Sequence, residues 1–260
     1  MKKIVCFGDV HGEFFKLKAL VEEAEKLYGE VDFYTLGDLI DRGKDSKKVI
    51  QLCIDKGMSG VYGNHEEWLI NLIRNGIFDS FALEPIMGGK RTFESYGVVP
   101  SMDIRGDAEM LLNLIPDTHK KWLLSLKPHM SISSGGKTYR LIHAGLTKSN
   151  ARSYMADSDS DDNLLDDMAN TPRGLTTLLW SSPRVSSTAK TGNLYEFKDG
   201  SVQIFGHKPV GEAFITNSFI ALDTGCGTCH PFNLSAVVLP DEVILSHYDI
   251  RKSEVYGEGS

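Results

Sequence analysis

The chain has 260 residues, of which 41% are hydrophobic and 24% charged, and its net charge at pH 7 is −7. This composition can build a sizeable hydrophobic core, whereas the negative charge argues against a general nucleic-acid-binding function. No apolar run approaches the roughly 20 residues that a membrane helix needs, and the run 4–7 is too short for a secretory signal. We therefore expect a cytoplasmic protein with no membrane partner, built as one domain over 1–250 with a tail over 251–260.

Strand, polar loop and helix alternate three times in the first 75 residues. Apolar runs predict the strands, and apolar residues at helical spacing predict the helices. The predicted strands are 3–7, 31–36 and 58–62, and the predicted helices are 14–28, one that begins with Ser46 as its N-cap, and 67–74. This alternation is typical of α/β proteins, in which the residues at the strand ends carry the chemistry.

The rest of the chain changes from helical to β-rich character. Residues 77–127 are predicted to be mostly helical, with interruptions at 88–97 and at Pro116. A hairpin turn is predicted at 134–137, because Gly135 and Gly136 separate two strand-like runs. Further strands are predicted at 138–142, 201–205, 213–216, 219–222, 234–239 and 243–247.

The acidic segment 157–167 is a compositional outlier. Its alternating aspartates suggest an EF-hand loop, but Asp162 stands where that loop requires glycine and Met168 where it requires glutamate. We therefore expect a mobile acidic loop over the mouth of a site.

The four cysteines favour a reduced environment. Cys6 and Cys53 lie within apolar runs and are expected to be reduced core residues. The run Cys226-Gly227-Thr228-Cys229-His230 matches a c-type haem attachment signature. Haem attachment requires export, for which the sequence shows no signal, so a plain loop is expected, with a redox or metal-thiolate role for the cysteine pair as the alternative.

Polar side chains of metal-binding type follow the predicted strands. They are Asp9, His11, Asp38, Asn64, His65, His143 and His207. Nitrogen and oxygen ligands without thiolate suit Mn, Fe or Zn better than Ca. Asp38 has two carboxylate oxygens and could bridge two cations, which in two-metal hydrolytic sites lie roughly 3.5–4 Å apart. A hydroxide between two such ions would be a competent nucleophile at neutral pH.

The segment Gly37–Gly43 is the centre of this pattern, because it leaves a buried strand and carries two carboxylates and one guanidinium. Arg42 offers a planar fork that matches phosphate oxygens and could offset charge in the transition state. Asp41 could hold His65 protonated, so that His65 donates a proton to a leaving oxygen.

Five short motifs together resemble the calcineurin-like metallophosphoesterase superfamily. They are Gly8-Asp9-Val10-His11-Gly12, Gly37-Asp38-Leu39-Ile40-Asp41-Arg42-Gly43, Gly63-Asn64-His65-Glu66, His143-Ala144-Gly145-Leu146 and Gly206-His207. The pair Asp41-Arg42 and Glu66 resemble its phosphoprotein phosphatase branch, and the chain is similar to bacterial and phage lambda-type Ser/Thr protein phosphatases. The segment Leu222-Asp223-Thr224-Gly225 also looks like that group.

This resemblance implies an α/β fold with two mixed β-sheets packed as a sandwich and flanked by helices. It implies two divalent metal ions, with manganese favoured over iron or zinc. One ion is implied to be held by Asp9, His11 and Asp38, and the other by Asp38, Asn64, His143 and His207. It also implies that His65 is the general acid with Asp41 behind it, and that Arg42 contacts phosphate.

One position departs from the family pattern. The relatives place a second phosphate-binding arginine shortly after a tryptophan that matches Trp180, often two positions on, where this chain has Ser182. Arg184 is the nearest candidate for this substrate contact, and an exposed turn arginine is the alternative.

The sequence therefore predicts a phosphatase that hydrolyses phosphomonoesters, on phosphoproteins carrying phosphoserine or phosphothreonine or on small phosphoesters. A symmetrical bis(5'-nucleosyl)-tetraphosphatase is the alternative enzyme, because its metal motifs are the same. A catalytically inactive module that recognises phosphoproteins is the alternative of another class. It is disfavoured because all proposed ligands and His65 are present.

Overall fold

The computed structural model describes residues 2–154, 160–184, 193–228 and 233–247. The strands are β1 (Lys3–Phe7), β2 (Val31–Thr35), β3 (Ser59–Gly60), β4 (His129–Ser134), β5 (Lys137–Ile142), β6 (Val202–Phe205), β7 (Phe214–Ile215), β8 (Phe219–Ala221), β9 (Leu234–Leu239) and β10 (Val243–His247). The α-helices are α1 (Phe14–Tyr28), α2 (Ser46–Asp55), α3 (Asn64–Asn75), α4 (Lys90–Ser95), α5 (Ile104–Leu114), α6 (Asp117–Ser125), α7 (Lys148–Arg152), α8 (Asp161–Ala169) and α9 (Pro172–Trp180), with a 3₁₀ turn at Ser80–Leu83.

Two mixed five-stranded sheets form the framework. The first has the order β10-β9-β1-β2-β3, with β1, β2 and β3 parallel and β9 antiparallel to β1 and β10. The second has the order β4-β5-β6-β8-β7, with β5, β6 and β8 parallel and the outer strands antiparallel to their neighbours. The prediction of an α/β fold with two mixed sheets and flanking helices is confirmed.

Strand β1 explains how the two sheets and the helices share one core. Ile4 and Cys6 belong to the apolar cluster that joins the first sheet to the second. Val5 and Phe7 point to the opposite face, where they pack with residues of the flanking helices. Because β1 is covered on both faces, its sequence is apolar from Ile4 to Phe7, as is usual for a central parallel strand.

In each of the two sheets, the parallel strands bring their polar end residues to one edge. Asp9 and His11 follow β1, Asp38 follows β2, His143 follows β5 and His207 follows β6. The carboxyl ends of parallel strands meet at the same edge of a sheet, which is where open α/β sheets place their ligand sites.

Two predicted helix starts differ from the structure. Ser46 is the first residue of α2 rather than its N-cap, which is Asp45. The Ser46 hydroxyl instead accepts a hydrogen bond from the backbone N–H of Asp41 at 3.2 Å. Helix α3 begins at Asn64 rather than at residue 67, so the predicted ligand Asn64 lies in the first turn of a helix.

The prediction of a loop at 157–167 was wrong for residues 161–167, which belong to α8. The Asp161 carboxylate is buried and accepts hydrogen bonds from the Tyr195 hydroxyl at 3.0 Å and the Lys198 N–H at 2.7 Å. Asp162 pairs with Arg140 of β5. These partners come from distant segments of the chain, so the composition of 157–167 alone could not reveal them. Residues 157–159 lie outside the described part of the chain.

Among the described residues, no helix combines the length and the apolar character needed to cross a membrane. The predicted tail over 251–260 lies outside the described residues.

Candidate active site

The Asp38 carboxylate lies at the centre of a ring of histidines. Its Oδ2 atom is 3.6 Å from His11 Nε2 and 3.8 Å from His65 Nε2. Its Oδ1 atom is 3.3 Å from His143 Nε2. Ligand atoms of Asp38, His143 and His207 also lie within 4.8 Å of one another, so the two oxygens of Asp38 face two separate groups of possible metal ligands.

Backbone hydrogen bonds fix the orientation of two of these rings. His11 Nδ1 donates to the Ile40 carbonyl at 3.0 Å, and His143 Nδ1 donates to the Leu36 carbonyl at 2.8 Å. The Nε2 atoms therefore carry the lone pairs and face Asp38. Burial lowers the pKa of both imidazoles below the ordinary value, so both rings are held neutral, which is the form that binds metal.

Asn64 joins the second group of ligands. Its Oδ1 atom lies 3.0 Å from His143 Nε2 and 2.9 Å from His207 Nδ1. Burial, and then His143, lower the pKa of His207 to about 3. Because the Asn64 oxygen and His143 Nε2 both present lone pairs, they repel each other at this distance unless a cation lies between them.

Two further carboxylates are buried beside this cluster. Asp9 accepts hydrogen bonds from the His207 N–H at 3.0 and 3.2 Å. Burial, Asp223 and Asp38 together raise the pKa of Asp9 well above its ordinary value, because three like charges are confined in one place. A divalent cation would remove this repulsion, so the residues present fit bound metal. The sequence showed the motif around Asp223, but it could not show that the Asp223 carboxylate lies close to Asp9.

The backbone is unusually constrained at this site. Among the described residues, positive φ occurs at six residues other than glycine, and five of them are predicted site residues: His11 (47°), Asp38 (51°), Asp41 (69°), Arg42 (59°) and His207 (68°). Such conformations cost on the order of 1–3 kcal/mol each and persist only where surrounding contacts impose them. Their concentration at the site indicates that the fold tolerates unfavourable backbone conformations, because these orient the side chains of the site.

Glu66 supplies much of that constraint, and sequence reasoning gave it no such role. Its Oε2 atom accepts hydrogen bonds from Asp38 N at 2.7 Å and Gly63 N at 2.9 Å, and its Oε1 atom accepts from Leu39 N at 2.7 Å and Ile40 N at 3.2 Å. One buried carboxylate thus ties the loop after β2 to the start of α3.

His65 and Asp41 form a second hydrogen-bonded pair. His65 Nδ1 lies 2.8 Å from Asp41 Oδ2. The Asp41 carboxylate is itself fixed by Trp68 Nε1 at 3.1 Å and the Thr92 hydroxyl at 2.6 Å. Burial alone would lower the pKa of His65, but Asp38 and Asp41 raise it above the ordinary value overall. This ring can therefore hold a proton close to neutral pH.

The Arg42 guanidinium lies against the same histidines. Its Nη1 atom donates to His11 Nε2 at 2.8 Å, and its Nη2 atom lies 3.1 Å from His65 Nε2. Its backbone N–H donates to the Gly88 carbonyl at 3.1 Å. Gly88 is required here, because a Cβ atom on it would lie 2.8 Å from Arg42 N. The segment after the 3₁₀ turn thus packs directly on the arginine.

An open cleft of about 850 Å³ leads from these residues to the surface. Its floor includes Asp38, Arg42, Asn64, His65 and His207. One side is apolar and is formed by Phe81, Leu83, Pro85, Ile86 and Met87, with Trp180 also lining the cleft. Three basic residues, Lys90, Arg91 and Lys208, complete the lining together with Gly88, Ser182, Pro209, Gly227 and Thr228.

A family model for calcineurin-like phosphoesterases matches residues 2–211. The chain belongs to this family. The family is metal-dependent and hydrolyses phosphoesters, which agrees with the clustered histidine and aspartate ligands.

Comparisons with individual proteins do not distinguish between substrates for this phosphoesterase. The symmetrical bis(5'-nucleosyl)-tetraphosphatase of Delftia acidovorans is 32% identical over 69 residues, which is 26% of this chain and 25% of that protein. The crystal structure of a candidate diadenosine tetraphosphatase has a TM-score of 0.59 and 20% identity, covering 95% of this chain and 93% of that one. A protein serine/threonine phosphatase from Saccharomyces cerevisiae has a TM-score of 0.54 and 15% identity, covering 95% and 79% of the two chains. At these identities the two structures show the shared fold.

Arg184 is the predicted site residue that the structure places apart from the others. It is exposed, and its backbone N–H donates to Asn193 Oδ1 at 2.9 Å. Ser182 lines the cleft of this phosphoesterase, whereas Arg184 does not. The assignment of Arg184 as a phosphate contact stays a prediction.

Cys226 lies beside the site as a buried free thiol. Its Sγ atom donates to the Val10 carbonyl at 3.3 Å, and burial raises its pKa far above the ordinary value. Its side chain packs in the larger apolar core, in the loop that follows Asp223. Cys229 and His230 lie outside the described residues.

Proposed function

We propose that this protein is a metal-dependent phosphatase that removes phosphate from phosphoserine and phosphothreonine of proteins. The observation that carries the proposal is the arrangement of Arg42 and His65 beside Asp38, at the floor of a cleft that opens to the surface. A guanidinium fork and a proton donor next to metal ligands are the groups that phosphomonoester hydrolysis requires.

The proposed metal site holds two divalent ions, with manganese as the favoured metal. Asp9, His11 and Asp38 would hold one ion, and Asp38, Asn64, His143 and His207 would hold the other. When bound, such ions lower the pKa of water to give a nucleophile at neutral pH and neutralise charge on the phosphate.

The protein's own side chains would act on the phosphate oxygens and on the oxygen of the leaving group. Arg42 would bind the phosphate oxygens through its fork. His65 would give its proton to the serine or threonine oxygen as the bond from phosphorus to that oxygen breaks. Asp41 would keep the His65 ring oriented and protonated through the 2.8 Å hydrogen bond to Nδ1.

The shape of the cleft supports a protein substrate. The side chain of phosphoserine is short, so the residues that flank it must lie against the rim of the cleft. Phe81 is 45% exposed and Ile86 is 71% exposed on the apolar side of that rim. Exposed apolar side chains next to a polar site can bury the side chains of a bound peptide.

A dinucleoside tetraphosphate is the second candidate substrate. The rings of Phe81 and Trp180 both line the cleft, with centroids 6.3 Å apart. Aromatic side chains at such a site can stack on a nucleobase, and the partial match to the Delftia enzyme agrees with this reading.

The two candidates give different products. The Mn-loaded protein would be incubated with a phosphoserine peptide and, separately, with diadenosine tetraphosphate, and the products resolved by chromatography. We expect inorganic phosphate from the peptide with at least a tenfold higher kcat/KM. Nucleoside diphosphate as the dominant product would contradict the protein phosphatase proposal and support the second candidate.

A further inference from the structure

The cleft of this acidic protein has a basic rim. Lys90, Arg91 and Lys208 line it, although the whole chain carries a net charge of −7. Lys90 and Arg91 both face Glu94, at 3.8 and 2.9 Å, so their charge is partly neutralised. Lys208 differs, because no carboxylate of the described residues lies within ion-pair distance of its amino group.

The backbone beneath Lys208 is rigidly positioned. It directly follows His207, whose φ is 68° and whose N–H donates to Asp9. The Lys208 N–H donates to the Gly206 carbonyl at 2.8 Å, and two residues later the Val210 N–H donates to the Asp223 carbonyl at 2.8 Å. Between them Pro209 restricts the chain further. The lysine is therefore anchored one residue from a proposed metal ligand, and its side chain is exposed.

The two other candidate cations are either engaged at the floor or outside the cleft. Arg42 lies against His11 and His65 and is placed to bind the reacting phosphate. Arg184 is exposed and does not line the cleft. An unneutralised lysine at the rim is thus available for an anion other than the phosphate at the floor.

We propose that Lys208 binds a second anionic group of the substrate, so that the enzyme prefers phosphopeptides with an acidic side chain next to the phosphorylated residue. This proposal rests on the proposed function, because it assigns a peptide to the same cleft. A lysine ammonium binding a carboxylate forms a charge-assisted hydrogen bond, which is stronger than a hydrogen bond between neutral groups. Lysine can follow a carboxylate at several positions, because its stem is flexible.

The test compares two phosphoserine peptides that differ only in having Glu or Gln on both sides of the phosphoserine. The measured quantity is the ratio of kcat/KM for the Glu peptide to that for the Gln peptide. It would be determined for the wild-type protein, Lys208→Gln, Lys208→Glu, and the matched control Lys121→Gln, which changes an exposed lysine of α6 outside the cleft.

We expect a ratio of about 5 for the wild-type protein and for Lys121→Gln, a ratio near 1 for Lys208→Gln, and a ratio below 1 for Lys208→Glu, since a solvent-exposed charge pair changes binding by at most about fivefold. Added salt should lower the wild-type ratio, because the rim is solvent-exposed.

Two results would overturn the inference, and they can be told apart. If both peptides are hydrolysed and the ratio is the same in wild-type protein and the Lys208 variants, the lysine is not a substrate contact and the proposed function stands. If neither peptide is hydrolysed while diadenosine tetraphosphate is, the proposed function and the peptide contact both fail.

Discussion

The inner part of the site and its rim are built in different ways. In the inner part, Asp38, Asp41 and His65 are buried, and each side chain or its backbone is held by several hydrogen bonds. At the rim, Trp180, Lys208 and Ile86 are exposed to solvent and have few polar partners. The inner part is held by hydrogen bonds within the protein, whereas the rim presents exposed side chains to a substrate.

This contrast separates chemistry from selectivity. Groups that stabilise a transition state act best when they need no reorganisation, which explains the buried hydrogen bonds and the positive φ values around Asp38. Selectivity among substrates needs only contacts that differ from one substrate to another. Substitutions in the inner part should therefore change turnover, and those at the rim should change substrate preference.

The substitution His65→Asn should have the largest effect on turnover. It removes the proposed proton donor while leaving the ligands around Asp38 in place, so kcat should fall by about 10²- to 10⁴-fold. The measurement is steady-state phosphate release together with metal content by mass spectrometry. Full activity with unchanged metal content would show that His65 is not the acid.

The substitution Glu66→Gln should mainly reduce stability. The Glu66 carboxylate accepts hydrogen bonds from four backbone N–H groups, two at each oxygen. In the glutamine variant, the amide nitrogen would face two of these N–H groups and could not accept from them. Each unsatisfied donor costs about 1–3 kcal/mol. We expect the free energy of unfolding in urea to fall by about 2–6 kcal/mol. The neighbouring Glu67→Gln is the matched control, with a change below about 1 kcal/mol, because Glu67 accepts one long hydrogen bond from Trp180 Nε1 at 3.4 Å. Equal losses in both variants would contradict the role of Glu66.

The substitution Asp41→Asn should shift the pH dependence. The Asp41 charge raises the pKa of His65, and the proposed acid is active when protonated, so activity is lost as pH rises through that pKa. Removing the charge lowers the pKa, so the alkaline limb of kcat/KM should move to lower pH. At alkaline pH the loss should be on the order of 10- to 100-fold, less than that of the acid itself. If the alkaline limb of kcat/KM stays at the same pH in the variant, a group other than His65 is responsible for it.

The substitution Arg184→Ala should have the smallest effect. Its side chain is exposed and lies outside the cleft lining, so kcat/KM should change by less than about threefold, as for an exposed charge. A tenfold or greater rise in KM for all phosphate esters would instead support the sequence-based assignment of Arg184 as a phosphate contact.

The sequence was most informative where function depends on local order along the chain. Motifs such as Gly63-Asn64-His65-Glu66 place possible ligands directly after predicted strands, and parallel pairing then brings them to one edge. The hydrogen bonds from Glu66 to the loop at Asp38 could not be foreseen, because they join Glu66 to backbone N–H groups 26 to 28 residues away in the chain. The contact of Thr92 with Asp41, 51 residues apart, is likewise set by tertiary packing.

Basic residues show the same limit. Sequence spacing from Trp180 pointed to Arg184, whereas the cleft lining includes Ser182 and not Arg184. Lys208 follows the short motif Gly206-His207, and nothing in the sequence pattern marks it as a substrate contact. The role that we propose for Lys208 rests on two tertiary features: Glu94 pairs with the neighbouring Lys90 and Arg91, and a turn anchors the backbone of Lys208.

A metal titration would show whether two metal ions share Asp38. The protein would be stripped with a chelator, Mn²⁺ added stepwise, and phosphate release measured together with bound metal, in parallel with Asp38→Asn. We expect activity to reach its maximum at two ions per chain, and Asp38→Asn to bind metal weakly and remain inactive. Full activity at one ion per chain or without metal, or an active Asp38→Asn variant, would contradict the account.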